Sequence, residues 1–223
     1  MTSVYDPLEQ FAGNPSINTD LHEILERTSE PSRSRMLKKL REHMRALEKY
    51  GSENVDEGAR HMFRELLVGD KLNRAGYRLE FSPNIEGKTP DWYDEGSHLI
   101  IEVFTCERGG VSELEKRVAQ SIEEKVTKYQ KIIGTHSVSF VVAVHGDFVA
   151  CLDFEDCEYL IADHHLFDRF PALSGVIYFS ENGCKSVTGA DGSTRRKQLY
   201  SYRFIANPSA ERAIDLSESL QGP

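Results

Sequence analysis

The stretch Val138 to His145, VSFVVAVH, is almost wholly apolar. A strand without alternation has no face to offer water, so it must lie covered on both sides, at the centre of a sheet. The segment before it, from Ser112 to Gly134, carries Val118, Ile122, Tyr129 and Ile132 at helical spacing, as expected for a long helix packed on such a sheet. Ser112 with Glu115 reads as a capping box opening that helix, and Gly134 as its stop.

Around this centre the other elements follow in order. Residues 58–76 read as a helix with Met62, Phe63, Leu66 and Leu67 on its apolar face and Gly76 as its stop. YRLEF, TPDWY and HLIIEVFT read as strands, the last two joined by a turn at Asp94–Ser97. A short helix near Cys157–His165 and strands GVIYFS and LYSYRFIA complete the set. Upstream, Thr19–Arg27 suits a short helix capped by Thr19 or Asp20. Ser34–Tyr50 suits an amphipathic helix with Met36, Leu37, Leu40, Met44 and Leu47 inward. Residues 1–52 are therefore expected to form a helical N-terminal extension, and residues 53–223 the main domain.

Charge narrows the function classes. The 223 residues carry a net charge of −9, so any nucleic-acid contact must be local. Two basic clusters qualify: Arg33, Arg35, Lys38, Lys39, Arg41 and Arg45, and then Arg195, Arg196 and Lys197. A solvated helix face and a charged hairpin loop are the plainer account of each. No apolar run is long enough to span a membrane. The opening MTSVYDPLEQFAG has neither a basic start nor an apolar stretch, so a cytoplasmic chain is expected.

The four cysteines (Cys106, Cys151, Cys157, Cys184) form no C-x-x-C pair, and His164 and His165 after Cys157 fit no zinc spacing. Ser112, Ser121 and Cys106 have no evident base, and Gly109-Gly110 reads as a turn. His136 and His145 read as strand-end polar residues, and Trp92 and Tyr93 as core aromatics or base-stacking candidates.

One constellation carries chemistry. With the hairpin turn centred between Glu95 and Gly96, Asp91 falls opposite Ile100, and Glu102 lies diagonal to Asp91 on the same face. Two carboxylates converging beside an apolar strand repel and resist desolvation. A divalent cation removes that conflict, and hard oxygen ligands suit Mg²⁺ or Mn²⁺. Glu65 borders the apolar stripe of its helix, where it can overhang this site. Lys125 falls in the middle of the packed face of the following helix, spaced to reach the acids, with Lys128 on the flank as second choice.

In this order the pieces Glu65, Pro90-Asp91 and Glu102 within IIEVFT resemble the PD-(D/E)xK phosphodiesterase superfamily, over about residues 56–145. The resemblance implies an α/β (α+β) fold with a restriction-endonuclease-like core: a mixed central sheet flanked by helices. It implies a Mg²⁺- or Mn²⁺-dependent endonuclease acting on nucleic acid, DNA in the first instance. Asp91, Glu102 and the Val103 carbonyl would hold the metal, Lys125 would serve as the lysine, and Glu65 would support the outer coordination. The family's lysine stands two residues after the second acid, where this chain has Phe104; Lys125 is then a substitute from the next helix. The alternative is a catalytically inactive nuclease-like fold that binds nucleic acid or protein. The basic N-terminal helix is expected to grip DNA or to form a homodimer.

Overall fold

A computed structural model describes residues 15–50, 53–105, 111–146, 152–188, 192 and 194–221. Cys106, Cys151 and Gly109-Gly110 lie outside the described residues, as do the side chains of Met44, Leu47, Ser112, Glu115 and Arg195.

The chain is mixed α/β. Three helices, α1 (Pro15–Arg27), α2 (Ser32–Tyr50) and α3 (Glu53–Arg74), precede β1 (Glu80–Phe81), β2 (Trp92–Asp94) and β3 (Leu99–Thr105). Helix α4 (Val111–His136), β4 (Ser139–Gly146), α5 (Phe154–Asp163), α6 (Leu166–Arg169), β5 (Leu173–Thr188), β6 (Thr194–Ala206) and α7 (Ser217–Gln221) follow. The six strands form one sheet in the order β1-β2-β3-β4-β5-β6. Strands β3, β4 and β5 run parallel, and the pairs β1/β2, β2/β3 and β5/β6 are antiparallel.

Each face of the sheet carries its own core, because side chains alternate across it. Leu99, Ile101, Val103, Val141 and Ala143 face α1, α2, α3 and α7. Ile100, Phe140, Val142 and Val144 face α4, α5 and α6. Leu21, Ile24 and Leu25 of α1 and Met36 and Leu40 of α2 lie in the first cluster beside Met62 and Phe179. By packing, the helices of residues 15–50 are a layer of the main core.

Four local expectations are corrected. Helix α1 starts at Pro15 rather than at Thr19, since proline suits the first helical position. Helix α4 runs past the exposed Gly134 to His136 and stops where Ser137 turns left-handed (φ 53°). Strands β5 and β6 extend far beyond the apolar segments into a ribbon pairing Cys184 with Gln198 and Thr188 with Thr194. Its β5 arm is exposed throughout, so cross-strand pairing, not burial, makes it, and hydropathy gives no sign of it.

The fourth correction concerns the hairpin. Trp92 pairs with Ile101 and Asp94 with Leu99, so the turn is centred between Gly96 and Ser97, one residue later than expected. The Asp94 carboxylate causes the shift. Its Oδ1 accepts the N–H groups of Gly96 (2.8 Å) and Ser97 (3.3 Å), and His98 takes up a left-handed conformation (φ 50°) to close the loop.

Candidate functional site

The corrected register brings the two acids closer than the sequence reading had them. Continued by one step, it sets Asp91 directly opposite Glu102. The Asp91 carbonyl accepts the Ser82 N–H at 2.9 Å, on the side of β1. Its backbone therefore faces away from β3, and the Asp91–Glu102 step is a non-hydrogen-bonded one, in which α-carbons stand only roughly 4.5 Å apart. The Glu102 side chain leaves the sheet on the α4 face, where Ile100 and Tyr93 also point.

One further step places Pro90 opposite Val103. Proline has no N–H to offer the Val103 carbonyl, and the Val103 N–H is instead taken by Asp91 Oδ2 at 2.8 Å. A strand residue directs its N–H and C=O toward the same neighbour. The Val103 carbonyl thus points toward Asp91 with no ladder donor across from it.

Trp92 anchors this end of β2. Its indole is fully buried against Phe81 (ring centroids 5.1 Å apart) and donates to the Glu65 carbonyl at 2.7 Å. Gly69 of α3 makes room for it: a Cβ there would sit 2.1 Å from the ring. A glycine in mid-helix costs about 1 kcal/mol, and this notch is its reason. Trp92 is thus a core residue.

Glu102 is 2% exposed. Lys125 Nζ donates to its Oε2 at 2.7 Å, as the spacing on α4 led us to expect. Lys128 Nζ stands 3.6 Å from Oε1. Among the described residues, Oε1 has no hydrogen-bond partner, and neither has the buried hydroxyl of Tyr129. A buried polar atom left unpaired costs on the order of 1–3 kcal/mol. Burial, then the charges of Glu65 and Glu102, push the Asp91 carboxyl up to about 7, against the pull of Lys125 and the Val103 N–H. Asp91 is therefore largely neutral below neutral pH, and a cation at the site would be needed to keep both acids ionised.

Glu65 sits on α3, across the end of the sheet, and is 2% exposed. Lys39 of α2 donates to its Oε2 at 2.6 Å, and His61 Nε2 lies 3.1 Å from Oε1. Burial opposes its ionisation, but His61 and Lys39 outweigh that and hold the carboxyl below its ordinary value. His61 Nδ1 lies 2.9 Å from the Thr105 hydroxyl. The sequence reading placed Lys39 only in a basic cluster, away from Glu65, and missed His61. For His61, the i,i+4 spacing to Glu65 was a usable signal; for Lys39 no local signal existed, because its contact depends on how α2 packs on α3.

The remaining candidates lie elsewhere. Phe104 packs partly buried in the α4-side core. His136 pairs with Glu86 at 3.0 Å. His145 is buried edge-on against Phe179 (5.0 Å), with both ring nitrogens unpartnered. Burial first, then the Arg64 charge, bring its pKa down to about 3, so it stays neutral. Much of the basic N-terminal cluster is engaged within the fold: Arg33 donates to Thr28 O (2.8 Å) and Arg35 to Phe81 O (2.7 Å). Lys197 pairs with Asp20 and Glu23. Lys38, Arg41, Arg45 and Arg196 are exposed.

Among the described residues, no three His, Cys, Asp or Glu side chains converge tightly enough to hold a metal ion by themselves. The donor set here is two carboxylates plus a main-chain carbonyl. Among them too, no helix is long and apolar enough to cross a membrane. No protein-family model, no curated protein and no solved structure matches the chain.

Proposed function

We propose that this chain is a metal-dependent phosphodiesterase with a restriction-endonuclease-like core, an endonuclease that hydrolyses nucleic acid, DNA in the first instance. One observation carries the reading: Asp91, just before β2, reaches β3 beside Glu102 by accepting the Val103 N–H at 2.8 Å, and Lys125 is bound to Glu102 at 2.7 Å.

The residues fit a hard divalent cation. Among the described residues, Glu102 Oε1 is a buried acceptor with no hydrogen-bond donor. Burial, and after it neighbouring negative charge, drives Asp91 toward neutrality, and the Val103 carbonyl faces the same spot. Asp91, Glu102 and that carbonyl would hold Mg²⁺ or Mn²⁺. Such an ion, when bound, lowers the pKa of water and neutralises charge on a reacting phosphate.

The side chains divide the rest of the work. Lys125, only 19% exposed, holds Glu102 and brings one positive charge to the edge of the site. There it can orient an attacking water or stabilise the phosphate as charge builds. Lys128, 42% exposed, extends that positive edge toward solvent. Glu65, clamped by Lys39 and His61, sets the potential around Asp91. Exposed Lys38, Arg41, Arg45 and Arg196 offer contacts to the polynucleotide backbone; a homodimer through the N-terminal helices belongs to the same reading. The expected setting is cytoplasmic.

Phe104, standing where the resembling family has its lysine, favours a second reading: an inactive nuclease-like module that binds nucleic acid or protein. The test is a cleavage assay on plasmid, linear, single-stranded and branched DNA and on RNA, with Mg²⁺ and with Mn²⁺, and with Asp91→Ala as control. Metal-dependent cleavage lost in D91A supports the enzyme. A folded wild type that neither cleaves any substrate nor takes up Mn²⁺ in calorimetry overturns it in favour of the binding module.

A further inference from the structure

We infer that Tyr129 is a positioning residue of this site: its hydroxyl donates to Glu102 Oε1 and fixes the plane of that carboxylate. The inference rests on the proposed function and deepens it.

Helix α4 presents Lys125, Lys128 and Tyr129 to Glu102, at i, i+3 and i+4. Lys125 takes Oε2 at 2.7 Å. Lys128 Nζ stands 3.6 Å from Oε1, beyond hydrogen-bond reach. Both Oε1 and the Tyr129 hydroxyl are shut off from solvent, and neither is bonded. One ammonium stands beside both: Lys128 Nζ lies 3.6 Å from Oε1 and 4.6 Å from the Tyr129 ring centroid, so the two unpaired groups flank the same charge.

The ring itself cannot swing away. Tyr129 is fully buried, packs on Phe140 with centroids 5.6 Å apart, and lies under Lys128 Nζ at 4.6 Å from its own centroid. The freedom left belongs to the hydroxyl hydrogen and to the terminal torsion of Glu102, which is soft. A small rotation joins the two unpaired atoms. A phenylalanine would fill the same space without burying a polar tip. Once both oxygens are held from the α4 side, the remaining lone pairs of Glu102 are presented toward Asp91.

The test is Tyr129→Phe in the full chain. Its Mn²⁺ affinity by calorimetry is expected to fall roughly tenfold, as for other outer partners of a metal ligand. Cleavage should lose a similar factor in kcat with KM unchanged, a split that loosened packing does not produce. A double-mutant cycle with Glu102→Gln, read by urea unfolding of metal-free protein, should be non-additive. Wild-type affinity and kcat in Y129F overturn the inference, as does a Y129F that gains the same stability with and without the Glu102 carboxylate. Failure of the proposed function reads differently: wild type then neither takes up Mn²⁺ nor cleaves, and the metal-free cycle alone decides whether Tyr129 holds Glu102.

Discussion

The Val103 N–H donates to Asp91 Oδ2 at 2.8 Å. A side chain thereby occupies the place where a ladder carbonyl would normally sit, at the step where Pro90 ends the ladder. The Pro-Asp dipeptide has a local logic: proline withholds a donor from the Val103 carbonyl, and the aspartate binds the Val103 amide. The site is built where β2 stops pairing with β3.

Asp91 should make the metal-free protein pH-sensitive. Its pKa of about 7 lies above the ordinary 3.8, so the neutral form is favoured on folding. The stability it lends is full below about pH 4 and is lost as pH rises through 7. Asp91→Asn is expected to be more stable than wild type at pH 8, on the order of 1–3 kcal/mol, with the gap shrinking by pH 5. Urea unfolding at the two pH values measures this, and a pH-independent gap would sink it. Added Mn²⁺ should favour wild type over the variant.

Lys125 and Lys116 sit on one helix with opposite roles. Lys125→Ala leaves Glu102 buried without its partner and should cost about 3 kcal/mol or more, with cleavage reduced at least a hundredfold. Exposed Lys116 should tolerate alanine within roughly 0.5 kcal/mol. Equal activity in the two variants would remove Lys125 from the site.

Gly69→Ala should damage the site from a distance. The added methyl would lie 2.1 Å from the Trp92 ring, forcing the indole and the start of β2 to move. A loss of about 1–3 kcal/mol is expected from overpacking, only partly offset by better helix propensity. Tryptophan fluorescence reports it directly, since Trp92 is the sole tryptophan; an unshifted spectrum with wild-type Tm would contradict the notch.

His145 should set an acid limit. Its pKa falls to about 3 on folding, below the ordinary 6.5. The stability from keeping it neutral is present above pH 6.5 and is lost as pH drops toward 3. His145→Leu is expected to lose less stability than wild type between pH 7.5 and pH 5 in thermal melts. Parallel losses would show that another group governs.

Part of the site was legible in the chain. Glu102 interrupts an apolar strand, and Lys125 interrupts an apolar helix face, so periodicity alone singled them out. The exact facing of Asp91 and Glu102 was not legible, because the hairpin register hangs on the Asp94 carboxylate binding two loop amides. Asp153 likewise caps α5 by accepting the Asp156 N–H, a signal present in the residues but left unread. The pairing of Lys39 and His61 with Glu65 entered only with the structure.

What the amino-acid order determined by itself is the alternation of helices and strands, the buried centre at Val138–His145 and the two acids flanking Pro90 and Val103. These follow from local spacing, since burial repeats with a period of two or 3.6 residues. The tertiary structure alone decided that α1 and α2 join the main core and that Lys39 crosses from α2 to Glu65. Those contacts bridge elements far apart in the chain, and their energy exists only once both partners are packed.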